Sequence, residues 1–230
     1  NTCQFAAAAA SAPLLHNPGE KWSYGINMDV LGCVVEVITG MSFADYLEKN
    51  IFKPLNMNST GFSVKPSEKA SFTTLYTSGM YRRDGEPVGQ IGANYADVEF
   101  SKSLRSIDPF NKSPYLKDSS SLYDGGSGLV SSIDDYSLFS EMLLNNGELN
   151  GVRILSEASV ELMSRNHLDL DRSEAVSFGV SGLGFGLTVG VVEDAGQAGV
   201  YGSDGEFFWG GAASTTFWID QEKNITAVLM

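Results

Sequence analysis

The sequence predicts an α+β fold, on two observations. Apolar residues recur at helical spacing in the first quarter of the chain and again after residue 132, whereas residues 183–230 read as short strands joined by tight turns. Helices followed by an antiparallel meander segregate into layers, unlike the alternating β-α units of a parallel sheet. No internal repeat and no interdomain linker is present, so residues 1–230 read as a single domain. Within it, 11–57 and 125–165 are expected to be mainly helical, 58–124 an irregular insertion or lid, and 183–230 an antiparallel sheet.

Taken in order, Asn17-Pro18-Gly19-Glu20 is a turn by composition. Met28, Leu31, Val34, Val35 and Ile38 then form one face of a helix over Asn27 to Thr39, which Gly40 stops. Asp29 is expected to stabilise the first turn of that helix. Ser42 followed by Asp45 resembles a capping box and opens a helix through Phe52, ended by Pro54. Residues 58–127 are rich in Ser, Asp, Gly, Tyr and Lys, with short strands expected at Phe72–Tyr76 and Gly79–Tyr81. Loops this long usually carry function, and Tyr95, Tyr115 and Tyr123 are expected near an entrance. Ser132 caps a helix from Ile133 to Leu144 that Gly147 ends, and Ser156 caps another through Ser164. Strands follow at Leu183–Val192, Glu206–Trp209, Ser214–Asp220 and Asn224–Met230, the last two joined as a hairpin across Gln221-Glu222-Lys223.

Composition excludes several classes of function. Of the residues, 43% are hydrophobic and 19% charged, which supports a packed core. Acidic residues number 28 against 15 basic, a formal charge of −13 that repels polyphosphates and argues against nucleic acid. No apolar run reaches the ~20 residues of a membrane-spanning helix. The histidines, His16 and His167, lie far apart and no Cys/His cluster has ligand spacing, so no structural zinc site is expected. Cys33 lies in an apolar helical stretch and is expected to be a buried free thiol. The chain opens Asn1-Thr2-Cys3 without Met and closes on the strand-like run Ile225 to Met230, so the fold is expected to be incomplete at both ends.

Three blocks carry a resemblance. The first runs Pro18-Gly-Glu-Lys-Trp-Ser-Tyr24-Gly-Ile-Asn-Met-Asp-Val-Leu-Gly32 to Ile38-Thr-Gly40 and Ile51-Phe-Lys-Pro-Leu-Asn-Met57. The second is Gly125-Gly-Ser-Gly-Leu-Val-Ser-Ser132 with Asp135-Tyr136 and Gly151-Val-Arg-Ile-Leu-Ser156. The third is Phe208-Trp209-Gly210-Gly211-Ala-Ala-Ser-Thr-Thr-Phe-Trp218-Ile-Asp220. In this order they resemble the serine β-lactamase-like superfamily, most of all the family VIII carboxylesterases, relatives of class C β-lactamases and D-Ala-D-Ala peptidases. The resemblance implies a β-lactamase/transpeptidase-like fold and hydrolysis through an acyl-enzyme, with no metal and no organic cofactor.

In that family a Ser-x-x-Lys motif supplies the nucleophile, a tyrosine shares its proton, and a third motif lines the site. By that resemblance Tyr24 is the general base, Trp209, Gly210 and Gly211 bind substrate, and the backbone N–H of Ala212 donates to the oxyanion. A serine hydroxyl is a weak nucleophile until a neighbour takes its proton. Paired glycines let the backbone approach a substrate closely, and a backbone N–H just past them can meet the charge that develops on a carbonyl oxygen. Trp209 stands where β-lactamase relatives carry a lysine for the substrate carboxylate, which favours neutral esters.

Two departures bear on this reading. Ile26 occupies the position, two after the tyrosine, where many relatives place Asn. No serine in the chain is followed three residues later by lysine. The nucleophile and its lysine are therefore expected from a segment outside this sequence or from a second chain. The expected function is hydrolysis of small carboxylic esters. The alternatives are a β-lactamase or D-Ala-D-Ala peptidase, and an inactive truncated homologue that acts as a binding module or needs a partner chain.

Overall fold

A computed structural model describes residues 1–77, 80–82, 98–100, 105–108, 113–117, 122–168 and 181–230. Its helices are α1 (Thr2–Ala9), α2 (Asn27–Thr39), α3 (Phe43–Leu47), α4 (Ile133–Leu144), α5 (Glu157–Met163) and α6 (Ala195–Ala198). The strands are β1 (Leu75–Thr77), β2 (Met80–Arg82), β3 (Val98–Phe100), β4 (Arg105–Asp108), β5 (Glu148–Leu149), β6 (Val152–Arg153), β7 (Leu183–Phe185), β8 (Gly190–Val192), β9 (Phe207–Gly210), β10 (Thr216–Asp220) and β11 (Ile225–Leu229). The chain divides into two compact units, one made of 1–62 with 120–230, the other of 63–119.

The larger unit opens with a helix that the sequence reading left unassigned. Asn1 caps α1 by accepting from Gln4 N–H, and the Gln4 side-chain Oε1 accepts from the Asn1 amine at 3.0 Å. The alanine run that follows has the highest helix propensity of any residue type but no apolar stripe, so periodicity does not reveal it. α1 packs on α2, and Cys3 is disulfide-bonded to Cys33 with 4.8 Å between their Cα atoms. The expectation of a free Cys33 thiol is thus wrong, because its partner sits on the unassigned helix.

α2 has no side-chain cap at Ile26 and ends at left-handed Gly40. Asp29 lies in the first turn of α2; it is buried and its Oδ1 accepts from Gly126 N–H at 3.0 Å. Beside it Gly125 lies so close to α2 that a Cβ there would stand 1.9 Å from the Met28 carbonyl oxygen. Ser42 caps α3, accepting from Asp45 N–H at 3.1 Å and donating to the Asp45 carboxylate at 2.7 Å. The helix continues to Phe52 but widens to five-residue bonds, with Lys53 N–H donating to Glu48 O. Phe52, Leu55 and Met57 then enter the core.

The chain leaves that core through a polar clamp. Buried Asp135 on α4 accepts at Oδ2 from Ser59 N–H at 2.7 Å and Thr60 Oγ1 at 2.8 Å. Gly61 pairs with Val130 beside it. Asp135→Ala is expected to lower stability by about 3 kcal/mol, because it removes the charged acceptor shared by the Ser59 amide and the buried Thr60 hydroxyl. Thermal melts check this, and Asp135→Asn, which keeps an acceptor, is expected to recover most of the loss. A shift of less than about 1 °C for Asp135→Ala would contradict the clamp.

Ser132 and Ser156 cap α4 and α5 as expected. Two residues of positive φ close α4, Asn146 (φ 53) and the expected Gly147 (φ 92). Asn146 N–H donates to Leu143 O and Gly147 N–H to Met142 O, the paired bonds of a Schellman ending.

A five-stranded antiparallel sheet follows, in the order β11-β10-β9-β8-β7. The single run expected over Leu183–Val192 is two strands, because Gly186 and Val189 close a turn through left-handed Thr188 (φ 81). The hairpin between β10 and β11 forms as expected, with Asp220 Oδ1 accepting Lys223 N–H at 2.9 Å and Asn224 left-handed. α4 crosses β10 and β11. Phe52, Leu55, Met57, Met142, Leu143, Val160, Val189, Val191, Phe207 and Ile219 form one core between helices and sheet. Each such side chain, fully buried, contributes about 1.5–3 kcal/mol.

The smaller unit pairs β1 with β4 and β2 with β3, both antiparallel, and the Phe72 and Tyr115 rings meet edge-on at 6.4 Å. Tyr95 lies outside the described residues.

Candidate active site

The segment before α2 is held by short polar links. Glu20 accepts from Asn17 N–H at 3.1 Å and Asn17 Nδ2 at 2.8 Å, bonds that hold its carboxyl below the usual glutamate range. His16 Nε2 and Ser23 Oγ share a hydrogen bond at 2.8 Å. This fixed loop delivers Trp22 and Tyr24 side by side, with ring centroids 6.2 Å apart.

Opposite them stands Trp209, at the end of β9. Tyr24 and Trp209 stack at 6.0 Å with 24° between planes. Phe185, the last residue of β7, meets Trp22 edge-on at 5.2 Å and Trp209 edge-on at 5.4 Å. Four rings therefore touch in a closed circuit. Trp22, Phe185 and Trp209 are half-buried, while Tyr24 keeps 69% of its surface exposed. Stacked and edge-on aromatic pairs each add roughly 0.5–1.5 kcal/mol beyond area burial, enough to fix the rings' attitude.

After Trp209 the backbone turns sharply. Gly211 N–H donates to Thr215 O at 2.7 Å and Ser214 N–H to Gly211 O at 3.0 Å, with Ser214 left-handed at φ 61. A Cβ on Gly211 would stand 2.4 Å from Thr215 Oγ1, so this glycine serves the turn as well as any ligand. Gly210 is exposed, with Thr215 O the nearest atom to such a Cβ at 3.5 Å. Ala212 sits exposed at the turn's tip, and among the described residues its N–H takes no part in the turn's bonds.

The structure thus brings Tyr24 against Trp209, two residues that the sequence placed in separate blocks. The ring neighbours Trp22 and Phe185 were not picked out as site residues. The alternation of Trp22 and Tyr24 was the available signal for the first; the second shows only in three dimensions. Other tyrosines differ in setting. Tyr136 packs on Phe139 and Phe217, and burial pushes its phenol up to about 12, which removes it as a base near neutrality. Tyr123 packs on Phe62 at 5.0 Å and its carbonyl accepts from Thr2. Among the described residues no His/Cys/Asp/Glu cluster could hold a metal, and no single helix is long and apolar enough to cross a membrane.

Comparison with known proteins agrees with this architecture. Esterase EstB of Burkholderia gladioli is 28% identical over 229 residues, 96% of this chain and 52% of its own. Protein Rv1367c of Mycobacterium tuberculosis is 30% identical over 225 residues, 95% of this chain and 50% of its own. EstCE1, a hydrolase with promiscuous acyltransferase activity, superposes with a TM-score of 0.70 at 25% identity, covering 95% of this chain and 53% of its own. The octameric penicillin-binding protein homologue of Pyrococcus abyssi shares the fold, with a TM-score of 0.68 at 18% identity. The chain spans about half the length of the relatives it matches, 50% of one and 52% of another. The β-lactamase/transpeptidase fold, esterase and acyltransferase relatives, and a match of residues 2–230 to the family model described as Beta-lactamase all agree: the chain belongs to the Beta-lactamase family.

Proposed function

We propose that this chain forms the base-bearing part of a serine hydrolase that cleaves small carboxylic esters through an acyl-enzyme. The observation that carries the reading is the stack of exposed Tyr24 on Trp209, a phenol held against an indole wall. Tyr24 Oη accepts the proton of a serine Oγ while its own proton passes to the amine of a lysine, serine and lysine both supplied from outside residues 1–230. The serine oxygen bonds to the ester carbon, and the tetrahedral oxyanion is met by the N–H of Ala212 and that of the nucleophile. Collapse breaks the bond to the alcohol oxygen, which takes back the proton from Tyr24. A water molecule, deprotonated by the same phenol, then releases the acid and restores the serine. Trp209, Gly210 and Gly211 line the acyl or alcohol side.

An indole wall receives a neutral ester without desolvating a charge, whereas a substrate carboxylate laid against its apolar face carries a desolvation cost. Short nitrophenyl esters are therefore expected to turn over faster than a chromogenic cephalosporin. Trp209→Lys is expected to narrow that ratio by about tenfold, the worth of one charge-assisted hydrogen bond. Preference for the cephalosporin in the parent protein would favour a β-lactamase or peptidase. Absence of both activities, alone and with candidate partner chains, would favour a binding module.

A further inference from the structure

The ring that closes the aromatic circuit, Phe185, is held from behind by a residue whose hydrogen bonds all go to backbone. Asn166, in the segment after α5, accepts at Oδ1 from Phe185 N–H at 3.0 Å and from Leu168 N–H at 3.0 Å. Its Nδ2 donates to Leu168 O at 3.1 Å. The next residue, His167, donates its N–H to Phe185 O at 2.9 Å. Among the described residues β7 is the outermost strand of its sheet, and these bonds occupy backbone groups of Phe185 on its outer edge. Glycines on either side make the arrangement possible. A Cβ on Gly184 would stand 2.4 to 2.8 Å from the Asn166 side chain, and one on Gly186 2.1 Å from Met163 O.

We propose that Asn166 is a positioning residue of the aromatic site: it anchors Phe185 at the sheet edge, and Phe185, edge-on to both Trp22 and Trp209, sets the plane that Trp209 offers to Tyr24. The functional meaning of this rests on the reading of Tyr24 and Trp209 given above; the geometry does not. A merely structural Asn166 would cap the sheet edge and leave the attitude of Trp209 to β9 alone.

The test is made on the full chain by near-ultraviolet circular dichroism. The contribution of Trp209 is taken as the parent spectrum minus that of Trp209→Phe, and is measured again with a second substitution present in both proteins. Asn166→Leu, which deletes the acceptor, is expected to reduce that contribution to roughly half or less, since the signal depends on coupling between neighbouring rings. Asn166→Asp keeps an acceptor for Phe185 N–H and is expected to restore most of it. Phe185→Leu, which keeps the backbone bonds, is expected to match Asn166→Leu, and keeps the proposal testable should the latter fail to fold. Folded Asn166→Leu and Phe185→Leu proteins with the parent Trp209 contribution would overturn the proposal and leave the hydrolase reading intact. Conversely, undiminished ester turnover by Tyr24→Phe would overturn that reading without touching the link from Asn166 to Trp209.

Discussion

Tyr24→Phe is expected to lower kcat/KM for short nitrophenyl esters by about 10²- to 10⁴-fold in the protein purified from its source, the range of a lost general base. Phenylalanine keeps the ring, so the stack on Trp209 and the edge contacts that follow from it persist. Only the phenolic oxygen goes. The loss should therefore fall on kcat with KM little changed, the pattern of an interaction made in the transition state. Trp209→Phe gives the contrasting case: a ring remains, the indole surface shrinks, and KM rises more than kcat falls. A Tyr24→Phe enzyme within about threefold of the parent would exclude Tyr24 as the base, because no general base is worth so little.

Loss of the Cys3–Cys33 bond has the second large effect. The link joins α1 to α2 across a separation of 30 residues. In the chain-entropy picture a loop of that length contributes about 3–4 kcal/mol. The helices approach closely where Thr2, which is buried, faces Gly32; a Cβ on Gly32 would lie 3.3 Å from Thr2 Cγ2. Without the bond, α1 retains that contact and the Thr2 hydroxyl bond to Tyr123 O. Urea unfolding with and without reductant measures the difference. The parent is expected to lose about 3 kcal/mol on reduction, and Cys3→Ser with Cys33→Ser to unfold at the reduced parent's midpoint, indifferent to reductant. A parent midpoint unmoved by reductant would show that the bond does not form.

What could be read from sequence divides along the range of the interactions involved. Helices α2, α4 and α5 and the hairpin of β10 and β11 follow from local signals. These are a one-sided apolar face, a serine before the first turn, and a left-handed Gly40 or Asn224 at the end. α1 escaped because alanine stabilises a helix without marking a face, and the disulfide escaped with it. The turn inside residues 183–192 lay hidden in an apolar stretch, where Gly186 and Thr188 interrupt no alternation. The bond that Asp29 accepts from Gly126 N–H was not legible, because its partner lies 97 residues away. The site divides in the same way. Tyr24 and Trp209 stand out through the motifs around them, whereas their stacking, and the part of Trp22 and Phe185 in it, arise from tertiary packing that no spacing encodes.

The central claim is that an acyl-enzyme forms on a serine outside residues 1–230 and that Tyr24 serves it. Fluorophosphonate labelling of the protein purified from its source, followed by mass mapping of the modified peptide, tests this most directly. The label is expected on the serine of a Ser-x-x-Lys motif on the same polypeptide or on a tightly bound partner, and Tyr24→Phe is expected to slow labelling along with ester turnover. A label on a serine within residues 1–230, or ester hydrolysis with no serine labelled, would contradict it.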